Sequence, residues 1–131
     1  MKKAYLAISY SNRKLFNKEV NRLKTFFKSK NIELLVFVDK YNFKPNQEKE
    51  MMQTAFQEID NCDYLIAELT TKSIGVGIEI GYAFAQNIPI IYLYKIGADY
   101  STTAAGSANH SISYNNEIDL IKKLHNLSTF K

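Results

Sequence analysis

The residues best placed to do chemistry gather around one carboxylate. Over 73–83 the chain reads SIGVGIEIGYA, which holds three of its five glycines, Gly75, Gly77 and Gly81. A glycine turn entering a helix presents backbone N–H groups and the positive end of the helix dipole, and this suits an anion. Ser73 adds a neutral hydroxyl donor. The spacing G-x-G-x-x-x-G is not the dinucleotide fingerprint, and it follows the third predicted strand instead of the first. Glu79 falls in what the pattern predicts to be the first helical turn, between Ile78 and Ile80. The helix start favours its ionised form and burial opposes it. An ionised, partly desolvated carboxylate facing a ligand is suited to nucleophilic attack on a sugar carbon. The plainer reading is a first-turn acid that only offsets the dipole.

Positioning such a group requires a frame, and the hydrophobic pattern supplies one. Strands are predicted over 3–10, 32–38, 63–70 and 89–95, with a short fifth over 110–114. Helices are predicted over 14–30, 48–61, 77–87 and 116–127, each with apolar residues at helical spacing. Residues 41–47 and 96–109 read as loops. Continuous apolar strands such as LLVFV indicate burial on both faces, as in a parallel sheet. The expected fold is therefore α/β: a three-layer, doubly wound parallel sheet of about five strands, Rossmann- or flavodoxin-like, in a single domain over 1–131. Ligands bind such sheets beyond the carboxyl ends of the strands. Residues 9–14, 39–45 and 70–79 are the places to inspect.

Composition sets outer limits. The chain has 131 residues, 46% apolar and 23% charged, an ordinary globular balance. It is too short for both halves of a dinucleotide-binding domain, which excludes a nicotinamide-dependent dehydrogenase of that type. No apolar run is long enough for a membrane span, and the N-terminus reads as a strand and not as a signal peptide. Cys62 stands alone, so no disulfide is expected and a reducing, cytoplasmic setting is. His110 and His125 lack ligand spacing, and no metal or other cofactor is predicted. Residues 1–30 hold nine of the 17 basic residues and only one acid, Glu19. Lys14, Lys18 and Arg22 read as a solvated helix face; no recognition motif accompanies them, and no nucleic-acid partner is expected. Arg13 differs, because it falls in a ligand-side loop where it could pair with a phosphate.

These pieces resemble the nucleoside 2-deoxyribosyltransferase superfamily, especially its 2'-deoxynucleoside 5'-monophosphate N-glycosidase branch. The matching segments are AYLA through Arg13, NCDYLIAELT over 61–70, SIGVGIEIGYA over 73–83 and NIPII over 87–91. The S-x-G-V-G-x-E-x-G-x-A core is the specific part. The resemblance implies cleavage of the N-glycosidic bond of a nucleotide, with no cofactor and a small-molecule substrate. It implies that Glu79 attacks C1' and that Tyr5 orients it. Ser73 and Gly75 match contacts to a 5'-phosphate, with the amides running on to Gly77. Ser9 to Arg13 matches the loop that wraps the nucleotide. Ser101 matches a phosphate contact supplied by a neighbouring subunit, which implies a homodimer.

Ser73 favours a phosphorylated substrate. Family transferases acting on free nucleosides place an acid there, and a carboxylate would repel a phosphate by several kcal/mol in a partly buried site. One departure stands out. The family's usual helix aspartate, which handles a proton near the leaving base, is matched here by Ala55. General acid catalysis is typically worth about 10²–10⁴-fold. Asp39, at the end of strand 2, is the candidate stand-in, its plainer role being a strand-ending turn residue. Glu58 and Asp60 are expected to face solvent. The alternatives to hydrolysis are base exchange by a deoxyribosyltransferase and nucleotide binding without catalysis. Tyr10, Tyr41 and Phe43 could stack on a base, Met51 and Met52 read as core, and Glu68 reads as partner to a buried ion pair or a ligand contact.

Overall fold

Alternation along each strand sorts the core into two halves. In the computed structural model, which describes residues 1–130, β1 spans Lys2–Ala7 and β2 Ile32–Val36; β3 spans Tyr64–Glu68, β4 Ile90–Lys95 and β5 His110–Tyr114. All pairings are parallel, and the order is β2-β1-β3-β4-β5. Successive side chains of a strand face opposite sides. Ala4, Leu6 and Ile66 therefore pack on one face, against α1 (Asn17–Ser29) and α6 (Glu117–His125). Tyr5, Ala7, Leu65 and Ala67 pack on the other, against α3 (Glu48–Asp60), α4 (Ile74–Ala85) and α5 (Thr102–Ser107). This is the three-layer, doubly wound arrangement expected from the apolar runs, with flavodoxin-like strand order. No helix among the described residues is long and apolar enough to cross a membrane.

Four local departures bear on function. Helix α4 begins at Ile74, three residues before the expected start, because Ser73 caps it: the backbone there is extended and Oγ accepts from the Val76 amide. The glycines that read as a turn are thus helical, and Glu79 sits in the second turn. Residues 10–16 coil into a 3-10 helix, Tyr10–Phe16, capped by Ser9, whose Oγ accepts from the Asn12 amide at 3.3 Å. The predicted end of strand 2 instead turns into a single helical turn, α2, Phe37–Lys40. The predicted loop 96–109 also contains α5, capped by Ser101 and held by its buried Ala104.

Glu68 lies on the α1/α6 side of β3, away from Glu79. Its partner is not a cation. It accepts from the Tyr114 hydroxyl at 2.5 Å and from the Thr70 amide at 2.6 Å. Lys95 pairs with Glu19 instead, at 3.2 Å. Burial pushes the Glu68 carboxyl above its ordinary value, and these hydrogen bonds act against that rise. Tyr114→Phe would leave a buried carboxylate short of a donor and destabilise the fold by about 1–3 kcal/mol, seen as a lower urea midpoint. A raised folded-state pKa means that stability from this group is full below the unfolded value and is lost as pH rises. The deficit of the variant is therefore larger at pH 8 than at pH 5.

Candidate functional site

Tyr5 and Glu79 meet at the point where the sheet order reverses. β1 carries Tyr5 in mid-strand, next to β3 through the pairing Tyr5↔Leu65, and α4 follows β3. The Tyr5 hydroxyl donates to Glu79 Oε2. Both residues line a cavity of about 220 Å³ with Ser9, Tyr10, Ser73, Gly75 and Ala55. The sheet crevice predicted from topology is therefore occupied by a hydrogen-bonded carboxylate. Burial pushes the Glu79 carboxyl up to about 7, and the Tyr5 bond opposes the rise. The helix dipole acts mainly within the first turn. From the second turn Glu79 gains little from it, so desolvation prevails. Burial and the Glu79 charge together push the Tyr5 hydroxyl well above its ordinary value, so it stays a donor.

The N-terminus of α4 forms another wall of the same cavity. Ser73 Oγ takes the Val76 amide, and the Ser73 carbonyl takes the Gly77 amide at 3.1 Å. The amides of Ile74 and Gly75 have no carbonyl within the helix to serve. These two amides and the Ser73 hydroxyl are the groups at this corner able to donate to an anion. The Gly77 amide is used by the helix, which removes it from the predicted phosphate set. A Cβ at Gly75 would stand 3.9 Å from Ser73 Oγ, over that corner; one at Gly77 would meet open space. Six residues of helix separate Ser73 from Glu79, about 9 Å along the axis. Helical side chains lean toward the N-terminus, which shortens that span for the carboxylate.

Gly77 and Ser101 lie on the far side of this helix start. They line a second cavity, of about 360 Å³, with Lys72, Ser73 and Thr103. Ser101 Oγ accepts from the Ala104 amide at 3.1 Å and its own amide donates to the Tyr92 hydroxyl. Within one chain, Ser101 thus shares a cavity with Ser73 and not with Glu79.

Arg13 and Asp39 find each other. The guanidinium donates from Nε and Nη2 to the two Asp39 oxygens, each at 2.9 Å, and from Nη1 to Asn17 at 2.8 Å. Neither residue lines the 220 Å³ cavity. Arg13 is held as a strut between the 3-10 helix and α2, and both Asp39 oxygens are acceptors to it, the opposite of a proton donor. Glu58, expected in solvent, is largely buried and accepts from Lys40 and Tyr41, each at 2.7 Å. Asp60 takes Tyr82 and Gln86.

Sequence reasoning missed the opposite wall. Phe37, Val38, Met51, Met52 and Ala55 line the cavity. The two methionines read as core because they share the helical face that packs on the sheet; the free end of that face overhangs the crevice. The available signals were their spacing, three and four residues before Ala55 and so one helical turn away, and the family position of Ala55 beside the leaving base. Tyr10 also lines it and is 78% exposed, whereas Tyr41 and Phe43 stack with Phe37 behind the wall. Cys62 is buried, which pushes its thiol up to about 12, and it behaves as a small apolar residue.

Comparison with known proteins bears on this geometry. Residues 4–125 match the family model described as nucleoside 2-deoxyribosyltransferase. A protein of Syntrophotalea carbinolica, provisionally named 2'-deoxynucleoside 5'-phosphate N-hydrolase 1, is 47% identical over 55 residues, or 42% of this chain. The aligned stretch spans only 39% of that relative's length. The solved structure of a CMP N-glycosidase from Clostridium botulinum superposes with a TM-score of 0.70 and 27% identity, covering 95% of this chain and 98% of that one. A 2-deoxyribosyltransferase from Bacillus psychrosaccharolyticus shares the fold, with a TM-score of 0.75 at 13% identity over 96% and 92% of the two chains.

The Glu79 carboxyl is expected to titrate near pH 7, followed by carbon-detected NMR of the labelled side chain. Tyr5→Phe removes the bond that opposes desolvation, so its midpoint moves to higher pH. A midpoint that stays put would mean that the hydroxyl does not stabilise the carboxylate.

Proposed function

The chain belongs to the nucleoside 2-deoxyribosyltransferase family, and from that footing we propose that it hydrolyses the N-glycosidic bond of a nucleoside or deoxynucleoside 5'-monophosphate. The observation that carries the reading is the Tyr5–Glu79 pair in one cavity with the capped start of α4. The phosphate rests on the Ser73 hydroxyl and the Ile74 and Gly75 amides, where the dipole favours an anion. A neutral serine there accepts a dianion that a carboxylate would repel. Glu79 attacks C1' as the base departs with the bonding electrons. Water then attacks C1' and displaces the carboxylate, giving a sugar 5-phosphate. Tyr5 holds the attacking oxygen in line and disperses its charge. Ser9, as cap of the 3-10 helix, steadies the rim beside the ribose. The names of the N-hydrolase and N-glycosidase relatives agree with this substrate class.

The active unit in this reading is a homodimer working in the cytoplasm. The outer face of α4 presents Ile74, 84% exposed, and Phe84, 60% exposed, with Ile78 between them and bare Gly77 and Gly81 alongside. An apolar stripe on one face of a helix calls for a cover. A second copy seated there brings its Ser101 toward the first copy's Ser73, through the 360 Å³ cavity beside the stripe.

Incubation with a panel of nucleosides and monophosphates, read by chromatography, tests the activity. Base release from monophosphates supports it, and release from free nucleosides alone would refute the phosphate assignment. Adding a second free base separates hydrolysis from transfer, since only transfer yields the exchanged nucleotide. Glu79→Ala is expected to lower release by about 10³-fold or more with an unchanged thermal melt. Since the ionised carboxylate attacks and burial holds its pKa near 7, kcat/KM rises with pH through about 7 and then levels.

A further inference from the structure

Breaking an N-glycosidic bond leaves an electron pair on the base nitrogen. A neutral base departs as an anion unless something protonates it. Among the residues lining the 220 Å³ cavity, Glu79 is the sole carboxyl, and no histidine, lysine, arginine or cysteine joins it. As nucleophile Glu79 must be ionised, so it has no proton to give. The Tyr5 proton is committed to Glu79. The nearest other acids are engaged elsewhere: Asp39 with Arg13, Glu58 with Lys40 and Tyr41, Asp60 with Tyr82 and Gln86. Of the cavity's other hydroxyls, Ser9 and Ser73 cap helices and Tyr10 is 78% exposed, and the remaining wall, formed by α2 and α3, is Phe37, Val38, Met51, Met52 and Ala55. That wall offers no donor to a neutral heterocycle. An aromatic ring favours a cation, thioether sulfurs make favourable contacts with flat aromatic rings, and the Glu79 charge beside them also favours a positive base.

We propose that the preferred substrate is a 5'-monophosphate whose base is joined through a nitrogen of a positively charged ring, such as a pyridinium or an N7-alkylated purine. The proposal rests on the N-glycosidase reading and names the substrate class of that same site. The balance needs no acid. Glu79 forms a bond to C1', and the C1'–N pair moves onto that nitrogen, discharging the positive charge of the ring, so the base leaves neutral. Water then bonds to C1', the ester C1'–O bond breaks, and its pair returns to the Glu79 carboxylate. The water proton passes to solvent. A positive base beside Glu79 also opposes the desolvation that favours its protonated form.

The test is a comparison on the wild-type protein. Nicotinamide mononucleotide and 7-methylguanosine 5'-monophosphate are set against GMP, dGMP, CMP and dCMP, with released base quantified and Glu79→Ala as control. At least one quaternised substrate is expected to show kcat/KM 100-fold or more above every neutral one, the scale of a missing general acid. Which of the two leads identifies pyridinium or purine as the source. A smaller ratio, with Glu79-dependent release from neutral nucleotides, overturns this inference and leaves the N-glycosidase reading standing. No release from any compound overturns both. In a second variant, Ala55→Asp, a carboxyl is added to the base wall. It is expected to raise release from neutral bases at least tenfold relative to quaternised ones; a folded variant with an unchanged ratio refutes the proton argument.

Discussion

A hydrogen bond between a strand and a helix, made inside a desolvated crevice, organises this protein. Glu79 is far enough along α4 to escape the strongest part of the helix dipole and deep enough to lose water. Left alone there, a carboxylate would take up a proton. The Tyr5 hydroxyl, fixed by a parallel sheet on both sides of β1, supplies the one bond that opposes this. The result is a carboxyl poised near neutrality, partly ionised and poorly solvated.

The other half of the site is made by the same helix through different physics. Its first amides and the Ser73 cap carry positive partial charge and cost nothing to keep solvated. One helix thus presents two groups of opposite electrostatic character, the open amides at its Ser73 cap and the Glu79 carboxyl of its second turn, about 9 Å apart along its axis. Gly75 keeps the intervening corner free of side chain.

A second tyrosine–carboxylate pair, Tyr114 with Glu68, sits on the opposite face of the sheet. It has the same pair of groups, and both are buried. Glu68 is closed in by α1 and α6 and also holds the Thr70 amide, at the head of the segment leading to Ser73. The contrast shows that a buried carboxylate with a tyrosine partner is not in itself a site. Access by a ligand separates the two, and that is a property of which helices cover which end of the sheet.

Much of this was legible in the residues. Apolar runs of five to eight set the strands, their double-sided burial set the parallel sheet, and the crossover rule set the crevice. The S-x-G-V-G-x-E core and Tyr5 then marked the family and the pair of side chains. What periodicity does not carry is who partners whom. Arg13 and Asp39 are 26 residues apart and pair through a helical turn that no pattern announced. The Met51–Ala55 wall is ordinary amphipathic helix until its end projects past the sheet. Ser73 acts as a cap because the competition between a glycine turn and a capped helix is decided by packing of Val76 and Ile80 onto the strands. Local sequence, then, determined the elements and singled out Glu79, because both depend on near neighbours; the charge state of that carboxyl and the chemistry of the wall it faces were decided only by folding, because desolvation and pairing arise from residues distant in the chain.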